Sequence, residues 1–213
     1  MILRSLAPGD DAVIARIFGS TLALGDRVAI TPADLAPYVD LCLGWYLGAG
    51  RQDAAIIEDE GEAVGYVLVC TAPADHRRWT QRGAARFVGR VGPGLVSRRY
   101  PPAAARFYRL RLRDGWSLRR APSVVKGLGH AHVNLVPGAR AGRAGRLAAA
   151  HIDDRIAAAG LAGWFGEINA RVGERARALE RLGGVVVQRT PNHTLSALVG
   201  QPVERLTVVR RAA

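Results

Sequence analysis

The sequence predicts an α/β fold, a mixed central β-sheet flanked by helices, and three observations carry that expectation. Short β-rich runs alternate with segments of helical periodicity along the chain. Two such runs flank Glu60-Gly61 closely enough to pair as an antiparallel hairpin, while the later strands are separated by helix-length segments that need crossovers. The stretch VPGARAGRAGRLAAAHIDD, Val136 to Asp154, reads as a strand end, a glycine-containing turn and a helix start. At 213 residues the chain has the size of one domain, 1–213, with enough apolar residues (49%) for a core.

The elements follow in order. ILRSL at the start reads as a short strand. A helix comes next: Pro8, Asp10 and Asp11 suit its N-terminus, and Val13, Ile14, Ile17, Phe18 and Leu22 recur at helical spacing. Thr31 is placed to cap a second helix, with Pro32 in its first position and Leu35, Val39, Leu43 and Tyr46 on one side. The hairpin strands are expected at 54–58 and 63–71. HAHVNLVP reads as a buried strand, followed by a helix to about residue 159. GWFGEI is a further strand, VGERARALERLGG a helix ending at Gly183-Gly184, and VVVQRT and ERLTVVRR are two final strands, with His193 in the loop between them. Residues 73–127, between the third and fourth strands, stand apart as an Arg-rich insert broken by Pro and Gly.

The net charge is +12, distributed unevenly: −7 over residues 1–75, +12 over 76–120 and +7 over 121–213. Lys126 is the only lysine. No apolar run reaches the roughly 18 residues of a membrane span, and the N-terminus has no basic region followed by a long apolar core. Cys42 and Cys70 lie in apolar segments and read as buried reduced thiols, which suits a cytoplasmic protein. The His and Cys spacing supports no metal site.

The glycine-containing turn before a helix aims uncapped backbone N–H groups and the positive end of a helix dipole at one point. Gly138 allows a sharp turn, Gly142 and Gly145 keep side chains away from an approaching anion, and Arg140, Arg143 and Arg146 add positive charge. The spacing fits neither the dinucleotide nor the nucleoside-triphosphate fingerprint. The alternative is an ordinary Ala/Gly/Arg-rich helix start in a chain whose composition favours those residues.

HVNLVPGARAGRAGRLAAAHID resembles the acyl-CoA-binding segment of the GNAT superfamily of N-acyltransferases, in which an apolar strand ends in Pro and is followed by [QR]-x-x-G-x-[GA] and a helix. Arg140 matches the leading position and Gly145 the last, while Arg143 stands where the family keeps the middle glycine. AIIEDEGEAVGYVLV is similar to the family's hairpin, and EINARVGERARALERLGGVVV to its next unit; residues 1–72 and 128–211 are covered. The resemblance implies a GNAT fold and an acetyl-CoA-dependent N-acetyltransferase acting on a primary amine of a small-molecule or protein acceptor. Leu135 and Val136 would pair through backbone groups with the pantetheine arm. Arg140, Ala141, Gly142, Arg143, Ala144 and Gly145 would hold the pyrophosphate, with Arg146 reaching a phosphate and Asn169 beside the thiol end. Arg143 is either a variant phosphate grip or a mark of weakened binding. Partners are then acetyl-CoA and the amine, with no membrane; a homodimer is compatible with the sequence.

Acetyl transfer to an amine needs a base and N–H donors for the developing oxyanion. His132 and Glu167 are the candidate catalytic residues; the alternatives are a structural histidine and a structural carboxylate. His130 shares a strand face with His132. The family's Tyr, which protonates the leaving thiolate, is replaced by Leu179, and the Phe after the glycine by Gly184. This leaves a second class of function open, a catalytically impaired acyl-CoA-binding protein whose basic segment contacts nucleic acid or an acidic partner. In the insert, Arg78, Arg82, Arg86 and Arg90 recur every four residues, with Trp79, Ala84, Phe87 and Val91 on another side. Three readings compete there: a solvated basic face, a wall attracting the coenzyme or an acidic acceptor, and a nucleic-acid-binding face.

Overall fold

The computed structural model describes every residue except 27, 118–121, 140–141, 175–178, 181–182 and 213. Strand β1 (Ile2–Ser5) is followed by helices α1 (Asp10–Thr21) and α2 (Pro32–Leu47), then by strands β2 (Ala55–Asp59) and β3 (Glu62–Cys70). Helices α3 (Pro73–Val96) and α4 (Pro102–Ser117) lead to β4 (Gly129–Leu135), α5 (Arg143–Ala158) and β5 (Gly163–Arg171). Strand β6 (Val185–Pro191), a short helix α6 (His193–Val199) and β7 (Val203–Arg211) complete the order.

Seven strands form one sheet in the order β1-β2-β3-β4-β5-β7-β6, a mixed α/β architecture as expected. Every neighbouring pair is antiparallel but one, β4 beside β5. The hairpin closes through Glu60 and Gly61, whose positive φ values of 50° and 83° match the twist of the flanking strands. Thr31 caps α2 by accepting the Asp34 N–H at 3.1 Å. The expected helix over VGERARALERLGG falls largely outside the described residues.

Helices cover both faces of the sheet. On one, Ile14 and Ile17 of α1, Leu35 and Tyr46 of α2, Phe87 of α3 and Phe107 of α4 pack with Ile56, Tyr66, Leu68 and Cys70. On the other, Ala144, Ala148, Ile152 and Ile156 form the single apolar stripe of α5 against Val67, Val69 and Ala131. The segment read from sequence as an insert is filled mainly by α3 and α4. Helix α3 buries Gly83, Phe87, Val91 and Gly94, and leaves Ala84, expected on that face, exposed.

Two expectations are corrected. His193 begins a helix rather than sitting in a loop. Asn192 caps that helix by accepting the Leu195 N–H at 3.0 Å, and the buried Asp114 carboxylate accepts the His193 and Thr194 N–H groups at 3.2 and 2.9 Å. These bonds depend on α4 lying alongside, which local sequence does not reveal. HAHVNLVP, in turn, is only half-buried beyond Ala131, because β4 loses one of its neighbours there.

Helix α5 is tied to the hairpin side by a polar knot. Asp53, 2% exposed, accepts from Arg155 Nε at 2.8 Å and from the Thr71 hydroxyl at 2.6 Å. Asp53 is the buried partner and Arg155 is 39% exposed, so removing the arginine strands a buried carboxylate, which costs about 3 kcal/mol. Arg155→Ala should therefore lower the unfolding free energy by roughly that amount in denaturant titrations, at unchanged m-value.

Candidate active site

The ladder between β4 and β5 has three rungs, Gly129↔Trp164, His130↔Phe165 and Ala131↔Gly166. Beyond them β4 stays paired to β3 as far as Leu135, and β5 stays paired to β7 as far as Arg171. The two central strands thus part at Ala131/Gly166 and leave a wedge-shaped opening in the sheet. Gly166 permits the last close approach, since a Cβ there would lie 3.2 Å from the Ala131 carbonyl oxygen. That oxygen points toward β5, whereas the Asn134 oxygen lies on the β3 side, 2.8 Å from where a Gly65 Cβ would be. By strand alternation Val133 directs its N–H and C=O into the opening.

Helix α5 begins just past the end of β4, after a single turn of 3₁₀ helix at Pro137–Ala139. Its N-cap, Gly142, has φ 71° and provides no side-chain cap, so the first-turn N–H groups face outward. Gly142 carries the positive φ of this turn, and Arg143 is the first, exposed residue of the helix. Among the described residues, nothing outside its own helix backbone and chain neighbours lies within 4 Å of where a Gly145 Cβ would stand. Arg146 Nη1 lies 3.8 Å from where a Gly142 Cβ would stand. Ala144 is fully buried under α5 and has only its backbone to offer. Arg140 and Ala141 lie outside the described residues. Val136 donates its N–H to Val64 at 2.9 Å and accepts from Ala139 at 2.9 Å, so its N–H is committed within the protein, contrary to its expected use.

His132 and Glu167 are the next residues in register after the last rung, one on each diverging strand. They share a sheet face: the His130 ring packs on Phe165 at 4.6 Å, and each is two residues from its partner. His132 is enclosed by the rings of Phe18, Tyr46 and Tyr66. Asn134 donates to the Tyr66 hydroxyl at 2.8 Å, which leaves the phenol proton for His132 Nε2 at 3.4 Å. Desolvation holds the His132 pKa down to about 4. Glu167 is exposed, with the buried Arg205 guanidinium 3.7 Å from its carboxylate. His130 bonds through Nδ1 to the Tyr46 hydroxyl and stacks on His76 at 5.3 Å, a position set by packing. Burial pushes its pKa well below the usual value and that of His76 down to about 4.

Three imidazoles held neutral have a stability consequence. The unfolded chain binds protons near pH 6.5 while the folded one resists until about pH 4. Their contribution is complete above pH 6.5 and is lost as pH falls toward 4. The thermal midpoint should stay level above that upper value and decline below it, with a shallower decline in His76→Phe. A midpoint that does not move down to the lower value would contradict this account.

Asn169 lies within β5 rather than in a turn, and its side-chain oxygen accepts from Asn192 at 2.8 Å. Leu179 packs with Ala170, Leu206 and Val208 and carries no hydroxyl for proton transfer. A side chain at Gly184 would stand 2.6 Å from Val208, which accounts for glycine there. A separate cavity of about 680 Å³, lined by Arg106, Val172, His193 and Glu204 among others, does not include His132 or Glu167. Sequence reasoning missed Tyr66, Tyr46, His76 and Arg205 as neighbours of the site. Their residue types were visible, but only cross-strand register and helix docking bring them to it. Among the described residues no helix is long and apolar enough to cross a membrane, and no cluster of His, Cys, Asp and Glu is arranged to hold a metal.

Solved structures resemble this fold along the whole chain. A protein provisionally named a phosphinothricin N-acetyltransferase matches over 100% of this chain and 98% of its own, with a TM-score of 0.57 at 12% identity. The GNAT-family acetyltransferase from Streptococcus pneumoniae matches over 100% and 99%, with a TM-score of 0.51 at 12% identity. The fold is that of the GNAT acetyltransferases. A further GNAT-fold match is yncA from Salmonella typhimurium, solved with its cofactor acetyl-CoA, over 100% and 94% of the two chains, with a TM-score of 0.55 at 13% identity. No family model and no curated protein sequence matches the chain. Its likeness to the GNAT proteins is thus one of fold.

Proposed function

We propose that this chain is an acetyl-CoA-dependent N-acetyltransferase acting on a primary amine. The observation that supports the reading best is the opening between β4 and β5, set between the uncapped start of α5 and two polar residues, His132 and Glu167. Bound there, acetyl-CoA supplies an acetyl group as an activated thioester. The first turn of α5, from Gly142 to Gly145, offers N–H groups and helix-dipole charge to the pyrophosphate, with Arg143 and Arg146 adding charge-assisted contacts. Arg140 and Ala141 belong to the same segment. The edge of β4 that faces the opening guides the pantetheine arm, with Leu135 at its end, and Asn169 sits toward the thiol end.

Val133 presents an N–H donor where the acetyl oxygen gathers charge. Glu167 takes the proton released as the amine nitrogen bonds to the acetyl carbon and the carbon–sulfur bond breaks with its electron pair leaving on sulfur. Water returns a proton to that sulfur, since Leu179 replaces the hydroxyl found in relatives. The His132 ring is enclosed by aromatic side chains while Glu167 is exposed beside the opening, so His132 orients and Glu167 accepts.

Calorimetry with acetyl-CoA, followed by an amine panel read by free-thiol release, tests the reading. Saturable binding and thiol release dependent on one amine are expected. No heat at millimolar coenzyme would overturn it, and binding without release under any amine would leave only the impaired, acyl-CoA-binding function.

A further inference from the structure

The densest run of positive charge in the chain is the segment of α3, its link and α4. Residues 76–120 carry thirteen arginines and one acid, Asp114, which is buried. On α3, Arg77, Arg82, Arg86 and Arg90 are exposed, as are Arg98 and Arg99 in the link to α4 and three more arginines on α4 itself. Among the described residues the exposed arginines of this segment have one carboxylate partner, Asp75, which pairs with Arg78. Arg86 lies over the Trp79 ring at 5.5 Å, an arrangement that keeps its guanidinium extended along the helix. Residues 1–75, by contrast, carry a net charge of −7.

We propose that α3 and its link to α4 form a binding surface for the phosphodiester backbone of a nucleic acid. The row Arg78, Arg82, Arg86, Arg90 runs about 18 Å along the helix axis. That length of duplex presents about ten phosphate charges. Arginine's planar fork suits phosphate oxygens better than a point charge does. A lipid surface fits less well, because an interfacial helix needs its apolar face free. Helix α3 turns Phe87 and Val91 into the protein core and leaves only Val88 and Val96 outside as large apolar residues. Uncompensated arginines with little exposed apolar area are the pattern of an electrostatic, sequence-tolerant contact. This surface is independent of the acetyltransferase reading and stands whether or not acetyl-CoA binds.

Fluorescence anisotropy of the full chain with labelled duplex and single-stranded oligonucleotides of about 20 nucleotides tests it. Binding is expected to weaken by about 100-fold between roughly 50 and 200 mM salt, as several released counterions require. The Arg82→Ala/Arg86→Ala/Arg90→Ala variant should bind at least about tenfold more weakly and lose two or more units of the log–log salt slope. An Arg98→Ala/Arg99→Ala variant, in the link rather than the helix, should show the same trend and guards against misfolding of the first. Arg16→Ala/Arg211→Ala, on other surfaces, should bind as the native chain does. Absence of binding to either oligonucleotide at the lower salt overturns the proposal. So does unchanged affinity in both α3 and link variants, or tighter retention on phosphatidylserine-rich vesicles than on nucleic acid.

Discussion

Replacing Gly145 with tryptophan is expected to lower the affinity for acetyl-CoA by at least about 100-fold while leaving the thermal midpoint within a few degrees of the native value. The reasoning rests on what surrounds this residue. Among the described residues, nothing outside its own helix backbone and chain neighbours lies within 4 Å of where a Gly145 Cβ would stand, so a large side chain has room. The core-facing positions of the same helix are Ala144 and Ala148, which the substitution leaves alone. The indole would instead occupy the space in front of the first turn of α5, where Gly142 provides no side-chain cap. A ligand whose phosphates need direct access to those N–H groups loses them all at once. Calorimetry gives the affinity and a thermal melt gives the fold. Undiminished binding in a folded variant would place the coenzyme elsewhere.

Glu167→Gln should reduce kcat by about 100- to 1000-fold with acetyl-CoA affinity unchanged within about twofold, the signature of a lost general base. Glutamine preserves the shape and the contact with Arg205, whose guanidinium lies 3.7 Å from the carboxylate, but accepts no proton. His132 is the competing base. Its ring is enclosed by aromatic side chains and bonded to Tyr66, so His132→Asn should cost far less in kcat than Glu167→Gln. Single-turnover thiol release with the identified amine separates the two. A native rate in Glu167→Gln together with a collapse in His132→Asn would reverse their roles.

Much of the scaffold was legible because its signals are local. Thr31-Pro32 announces a capped helix, and Glu60-Gly61 announces a two-residue turn because a glycine tolerates the positive φ found at its second position. The four-residue recurrence of Ala144, Ala148, Ile152 and Ile156 marks the buried side of α5. Misreadings fell where a distant partner supplies the decisive bond. Helix α6 exists through Asp114, which lies 79 residues before His193. The half-exposure of β4 follows from the departure of β5, a strand more than 30 residues further along the chain.

The site divides in the same way. The sequence by itself determined that a strand ends at a glycine-rich helix start, that His132 and Glu167 lie on strands, and that arginine is concentrated between the hairpin and β4. Periodicity and turn chemistry act over a few residues, so they can be read along the chain. Only the tertiary structure decided that His132 and Glu167 stand on the same sheet face just past the point where β4 and β5 part. It also decided that Tyr66 bonds the imidazole, that Val136 spends its N–H on Val64, and that Gly142 takes the positive φ before α5. Those outcomes depend on strand register and on how far a parallel ladder can continue before its twist and neighbours pull it apart. No local pattern encodes that distance.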